Sequence, residues 1–197
     1  MSEATTAPMP APMPVAMTEA EQALLRAAAA GAARMLEFGC GGSTALLLAA
    51  GAGCLLSVDS DVGWLARVAR GQGATGRLVQ HHADIGPCGE WGWPLQPPAA
   101  IVAWRYWGAP WVAMAEPDLV LVDGRYRIAC ALAAHGRLRP GGHLALHDFW
   151  SRRVYQDALA PFFEVVGAAG LLALLQPRAA CATALAQARQ ASAADPR

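Results

Sequence analysis

With 197 residues, 20.5 kDa, 55% hydrophobic and 15% charged content, the chain can form one domain with a sizeable core and is too apolar for a disordered polymer. Its 15 basic residues balance 15 acidic ones, so no net field draws it to nucleic acid or to an anionic membrane surface. Every basic residue is an arginine, which excludes lysine as a general base or Schiff-base former.

Residues 1–17 alternate Pro, Ala and Met without periodicity and are expected to be disordered. They show neither the basic nor the apolar region of a secretory signal, so the cytoplasm is the expected compartment. Thr18 and Glu21 then form a T-x-x-E capping box, opening a helix that runs to about Ala33. From there short apolar runs, "RMLEF", "CLLSV", "GRLVQHHA", "DLVLV" and "GHLAL", alternate with helix-like segments. Those segments are Ser43–Ala50, Asp61–Arg70, Tyr126–Leu138 and Arg152–Phe163. Runs of this length read as strands buried on both faces, and their alternation with helices reads as a parallel sheet with right-handed crossovers.

Residues 86–117 break the rhythm with five of the chain's seven tryptophans and six prolines. A connection this long is functional or carries its own small element. It reads equally as a wall of an acceptor site or as aromatics packed on the sheet or between subunits, which makes it a candidate surface for a homo-oligomer. Further on, "FEVVGAAGLLALLQP" reads as two strands joined by a glycine turn, an antiparallel hairpin at the sheet edge. Residues 179–197 are expected to be a flexible tail, a frayed helix or disordered, leaving 18–178 as a single domain. The expected fold is thus α/β and Rossmann-like: doubly wound, with a mostly parallel seven-stranded sheet and a C-terminal antiparallel edge hairpin. The apolar runs are too short and glycine-broken to span a bilayer. The five cysteines are odd in number and form no C-x-x-C pair, so free thiols are expected rather than disulfides or a zinc site.

An open parallel sheet binds ligands beyond the carboxyl ends of its strands. Here those ends carry Glu37, then Asp59 and Asp61, then Asp84, then Asp123 with Arg125, and last His147 with Asp148. Each acid has a plainer reading as a helix cap, but acids at the same end of five consecutive strands make a site. Gly39 and Gly41, with Asp59 some twenty residues on, imitate a dinucleotide fingerprint. Thr44 stands where that fingerprint needs a small residue. Glu37 would repel a pyrophosphate by several kcal/mol at an effective dielectric of about 20. S-adenosylmethionine reverses the sign, because it has no phosphate and brings a sulfonium and an ammonium.

Together "LEFGCGGST", "SVDSD", "ADIG" with "EWGWP", "DLVLVDGR" and "LRPGGHLALHDF" resemble the class I S-adenosylmethionine-dependent methyltransferases, above all a bacterial methyltransferase-like group. The resemblance spans residues 34–178 and departs from the family where Ser43, behind an extra Gly42, replaces the usual last glycine. It implies that Glu37, Gly39, Gly41 and Gly42 wrap the methionine half of the cofactor. Asp59 takes the ribose hydroxyls, Asp84 with the Ile85 backbone the adenine, and Asp123 faces the sulfonium and the acceptor.

A hydroxyl acceptor needs its proton removed by a base or by a metal that lowers its pKa. His147 is the preferred base, with Asp123 and Asp148 beside it; its plainer reading is a capping or packed imidazole. Catechol-type methyltransferases hold a divalent metal at the places of Asp123 and Asp148, but Phe149 stands where they have an asparagine ligand. A metal is therefore not favoured. His81, His82 and His143 read as structural, Cys40 as a small residue that fits, and Arg125 and Arg127 as a solvated first helical turn. The expected activity is methyl transfer to a small molecule, at oxygen. The alternatives are a catalytically silent cofactor-binding module that docks a partner protein, and a nicotinamide-dependent oxidoreductase.

Overall fold

The structure, a computed structural model, describes residues 13–73 and 75–197. The first half runs α1 (Glu19–Ala29), β1 (Arg34–Phe38), α2 (Gly42–Ala49), β2 (Cys54–Asp59), α3 (Val62–Gln72), β3 (Leu78–His82) and α4 (Ala100–Trp107). The second half runs β4 (Leu119–Val122), α5 (Arg127–Ala134), β5 (His143–Leu146), α6 (Arg153–Leu159), β6 (Phe163–Ala169), β7 (Leu172–Pro177) and α7 (Ala182–Ser192). The seven strands form one sheet in the order β3-β2-β1-β4-β5-β7-β6. The first five are parallel, and β7 runs antiparallel to both β5 and β6. This is the Rossmann-like sheet with an edge hairpin that the sequence implies. No helix among the described residues is long and apolar enough to cross a membrane.

The two-residue period of a strand divides the core. Leu36, Phe38, Val120, Val122, Leu144 and Leu146 face α4, α5 and α6, where Tyr106, Tyr126 and Tyr155 are fully buried. Met35, Leu55, Leu119, Leu121 and Ala145 face α1 and α2. The tryptophan-rich segment splits between its two readings. Its α4 packs on the sheet, stacking Tyr106 on Phe38 at 6.1 Å, while Trp91 stays 85% exposed in a turn ahead of the helix.

Two expectations about the chain ends change. Of segment 1–17, residues 1–12 lie outside the described residues, but residues 13–17 are placed against the body of the protein. Met13, Val15 and Met17 turn apolar side chains inward, and the Pro14 and Val15 backbone lies on Gly42, where a Cβ would collide. The tail 179–197 is not a free end. Helix α7 docks on α5, with Arg189 donating to the carbonyls of Leu132 (3.0 Å) and His135 (2.8 Å). Trp107 Nε1 donates to Ala193, and the amides of Tyr126 and Arg127 donate to the carbonyls of Pro196 and Arg197. The helix is one of the two expected readings of the tail; its docking is not, since small side chains give a weak apolar stripe yet permit close helix packing.

Arg189→Ala should therefore lower stability by about 1–3 kcal/mol, because two buried carbonyls lose a charged donor. Urea unfolding reads this directly. A variant as stable as the parent would mean that α7 is not held on α5.

Candidate functional site

Beyond the carboxyl ends of the parallel strands lies a cleft of about 1170 Å³. Single-ligand pockets span roughly 300–1,000 Å³, so this one has room for two small molecules side by side. Gly39, Gly41, Gly42, Asp59, Asp123, His147 and Asp148 all line it, as the sequence leads one to expect. Glu37, Asp84 and Ile85 do not.

Glu37 lies on the α2 side of β1, paired in register with Ser57. Strand alternation turns it beneath the glycine turn rather than into the mouth of the cleft. Fully buried, it accepts from Ser43 Oγ at 2.6 Å, Thr44 Oγ1 at 2.7 Å and Ser57 Oγ at 2.6 Å. Thr44 Oγ1 in turn accepts from the Gly41 amide at 3.1 Å, so Glu37 supports the turn through two links. Burial pushes the carboxyl up to about 7, against the lowering effect of those three hydroxyls. Gly39 serves a packing need. At φ +90° it lies so close to Gly124 of the β4 turn that any Cβ would meet backbone at 2.6 Å.

Asp84 is exposed, accepts from the Gly86 amide and lies 3.8 Å from Arg105, while Ile85 belongs to the core. The register explains this: Asp59 pairs with His82, so His82 stands level with Asp59 and lines the cleft. The string "QHHADIG" gave no signal for where β3 ends. Asp59 is largely buried, which pushes its carboxyl up against the lowering pull of the Asp61, Ser60 and Cys40 backbone amides. One oxygen accepts from Asp61 N at 3.1 Å, and the other lies 3.7 Å from the Cys40 thiol. Burial, then the charges of Asp59 and Glu37, push that thiol far up, so Cys40 is an unreactive filler.

At the ends of β4 and β5 the reading of Arg127 as solvated is overturned; it is 4% exposed. Its guanidinium sits 3.2 Å from Asp123 and 3.1 Å from Asp148, and donates to the carbonyls of His147 (2.7 Å) and Gly124 (3.0 Å). Arg125 is likewise buried, at 8% exposure, and lines the cleft. Residues two apart on a regular helix cannot share a face. Tyr126 between them is left-handed (φ 53°), and that break lets both arginines line one cleft.

His147 Nδ1 is 3.1 Å from Asp123 Oδ1, and its Nε2 is 3.7 Å from Glu21 of α1. Burial opposes charge on the ring. The hydrogen bond and charge of Asp123, backed by Asp148 and Glu21, outweigh it and hold the imidazole above its ordinary 6.5. A divalent metal on Asp123 and Asp148 does not fit this arrangement, because a guanidinium already lies between the two carboxylates and would repel it. No group of three metal-ligating side chains gathers among the described residues.

The Glu37 carboxyl generates a pH test. Its folded pKa lies above its ordinary value of 4.5, so its contribution to stability is intact below that value and lost as pH rises through about 7. Glu37→Gln does not titrate and should gain on the parent between about pH 5 and pH 8, by on the order of 3 kcal/mol in urea unfolding. A pH-independent difference would show that burial does not raise this carboxyl.

No protein-family model and no curated protein matches the chain. Among solved structures it is similar to a methyltransferase-like protein of Silicibacter pomeroyi DSS-3, at 30% identity and a TM-score of 0.77. That match covers 93% of this chain and 98% of the other. The N-methyltransferase NodS of Bradyrhizobium japonicum, solved with S-adenosyl-L-homocysteine, shares 16% identity at a TM-score of 0.52, over 81% of this chain and 85% of its own. The O-methyltransferase TomG of Streptomyces achromogenes, solved with S-adenosylmethionine, shares 18% at 0.52, over 81% and 78%. These two speak for the fold. The first matches along nearly its whole length, and with it this chain belongs to the class I methyltransferase-like proteins.

Proposed function

We propose that the protein transfers the methyl group of S-adenosylmethionine to an oxygen of a small-molecule acceptor. The observation that carries the reading is the pair Asp123 and His147: one ring nitrogen is held by a carboxylate, and the other, 3.7 Å from Glu21, makes no hydrogen bond among the described residues. Because Asp123 accepts, the Nδ1 position carries the proton, and Nε2 is the basic nitrogen. This is the arrangement in which a carboxylate orients an imidazole and stabilises its charged form as it removes a proton. A hydroxyl needs such a base.

The cleft fits the cofactor on several counts. Asp59 is an acid with unused acceptor capacity, suited to a pair of ribose hydroxyls. The Gly41 amide is taken by Thr44 and Gly42 is covered by the 13–17 segment, so the turn offers little to a phosphate and an uncharged or cationic group suits it better. When bound, S-adenosylmethionine supplies a methyl group already activated by positive sulfur, which leaves positioning as the main task of the protein. Asp123 and His147 hold the acceptor's proton path, and Arg127 fixes both of their strands. A small-molecule acceptor suits the volume that remains in the cleft. The silent-module reading would be favoured by a protein that binds the cofactor and turns over nothing.

Asp59→Ala should weaken S-adenosylhomocysteine binding by roughly 2–4 kcal/mol in calorimetry while the fold survives, since two charge-assisted hydrogen bonds are lost at the rim. Unchanged affinity in a folded variant would make Asp59 a loop-bracing residue alone. His147→Gln should lower turnover by about 10²–10⁴-fold, scored as S-adenosylhomocysteine release across a panel of hydroxylated metabolites, with cofactor affinity unmoved. Wild-type activity should rise with pH through a midpoint above 6.5, the direction in which the three acids move the imidazole, and should survive chelators. A flat profile, or loss of activity in EDTA restored by Mg²⁺, would remove His147 as the base.

A further inference from the structure

Arg125 is a buried cation without an anion. It is 8% exposed, yet among the described residues its side chain makes no ion pair and no hydrogen bond, and its Nε is buried and unpartnered. Its neighbours explain the gap. The nearby acids Asp123 and Asp148 are already engaged by Arg127, and Asp148 also by Arg152 at 3.4 Å. Desolvation, then the like charge of Arg127, lowers its pKa, so the environment works against the charge it must carry. Leaving a guanidinium desolvated and unpaired is costly, and such groups gather at binding sites where a ligand completes them.

What surrounds it indicates the ligand. The guanidinium carbon lies 4.8 Å from the centroid of the Trp93 ring, which fixes the fork by stacking and leaves its edge for a planar partner. Trp91 and Trp93 are 85% and 38% exposed and line the same cleft; Trp93 turns one face to Arg125, and Trp91 stands open. The anion is not supplied by the adenosine half of the cofactor, which is uncharged and would lie by Asp59. The cofactor's own carboxylate is the rival anion in the cleft, and cofactor binding by Arg125 variants separates the two. Arg125 packs its Cγ against Gly92 of the tryptophan-rich segment.

We propose that the acceptor is a planar, aromatic carboxylate, held by the Arg125 guanidinium with its ring against the Trp91 and Trp93 side of the cleft. The proposal rests on the methyl-transfer reading for the identity of the second molecule. One unpaired cation matches one negative charge. A phosphate dianion would call for a second cation beside Arg125, and the two arginines whose charges reach it, Arg127 and Arg152, are both committed to Asp148.

The test uses 4-hydroxybenzoate, its neutral isostere 4-hydroxybenzamide, and 4-hydroxyphenyl phosphate, titrated calorimetrically into the full chain with and without saturating S-adenosylhomocysteine. The benzoate should bind at least about tenfold tighter than the amide. Arg125→Gln should abolish that preference, Arg125→Lys should keep part of it, and both should bind S-adenosylhomocysteine as the parent does. Equal binding of acid and amide to the parent overturns the proposal, and tighter binding of the phosphate overturns the carboxylate assignment. If Arg125→Gln loses S-adenosylhomocysteine and keeps the acid preference, Arg125 serves the cofactor and the proposal fails. Failure of the parent to bind S-adenosylhomocysteine would count against the methyl-transfer reading alone, because the preference for the acid is measured without it as well.

Discussion

One buried guanidinium organises the end of the sheet where the candidate chemistry lies. Arg127 touches the carboxylates of Asp123 and Asp148 and the carbonyls of His147 and Gly124, joining the ends of β4 and β5. Without it, two carboxylates would face each other in a partly dry cleft; removing one partner from such a buried network typically costs about 3–5 kcal/mol. The cation lies against both acids, and Asp123 holds His147 in one orientation. The same cation fills the place that a divalent metal would take.

A second constraint acts from beneath. The strand period sends Glu37 to the α2 face, where three hydroxyls converge on it and the glycine turn is shaped from below. From above, the Pro14 and Val15 backbone lies on Gly42, and that contact is permitted because the residue has no Cβ. The chain continues through Met17 into α1, whose Glu21 caps its own helix through Thr18, accepts from the Leu171 amide at 2.6 Å and faces His147. One continuous segment therefore touches the glycine turn at one end of the cleft and the candidate base at the other.

Much of this was legible in the sequence because strands and their ends are written locally. Apolar runs between helix-like segments gave the sheet, and acids at the ends of those runs gave Asp59, Asp123 and Asp148 a common edge. What was not legible depends on direction and register. "LEFG" names an acid before a turn but does not say on which face of β1 it points, and so Glu37 was assigned to the wrong side. "QHHADIG" does not say that β3 stops at His82, so it does not show that Asp84 stands two residues past the strand, outside the cleft lining. "VDGRYR" does not announce a left-handed tyrosine, so two arginines that read as a solvated turn are in fact buried. Alternate apolar residues in "MPVAM" did carry a period-2 signal for an extended, packed segment, but proline-rich composition outweighed it.

The left-handed residues show what the site demands of the backbone. Tyr126 at φ 53° and Asp148 at φ 60° directly follow the turns of β4 and β5, and neither is a glycine. Such conformations cost on the order of 1 kcal/mol or more each for residues with a Cβ and persist where the surroundings over-determine them. Here the surroundings are identifiable. Tyr126 is fully buried beside Tyr106, at 5.6 Å between rings, and its amide donates to the carbonyl of Pro196. Asp148 is held by Arg127 and Arg152. A glycine at either position would relieve the strain and lose the contact that aims its neighbours. Left-handed Tyr126 breaks the helical register and brings both arginines to one cleft, where Arg127 is paired with Asp123 and Asp148 and Arg125 has no ion pair among the described residues.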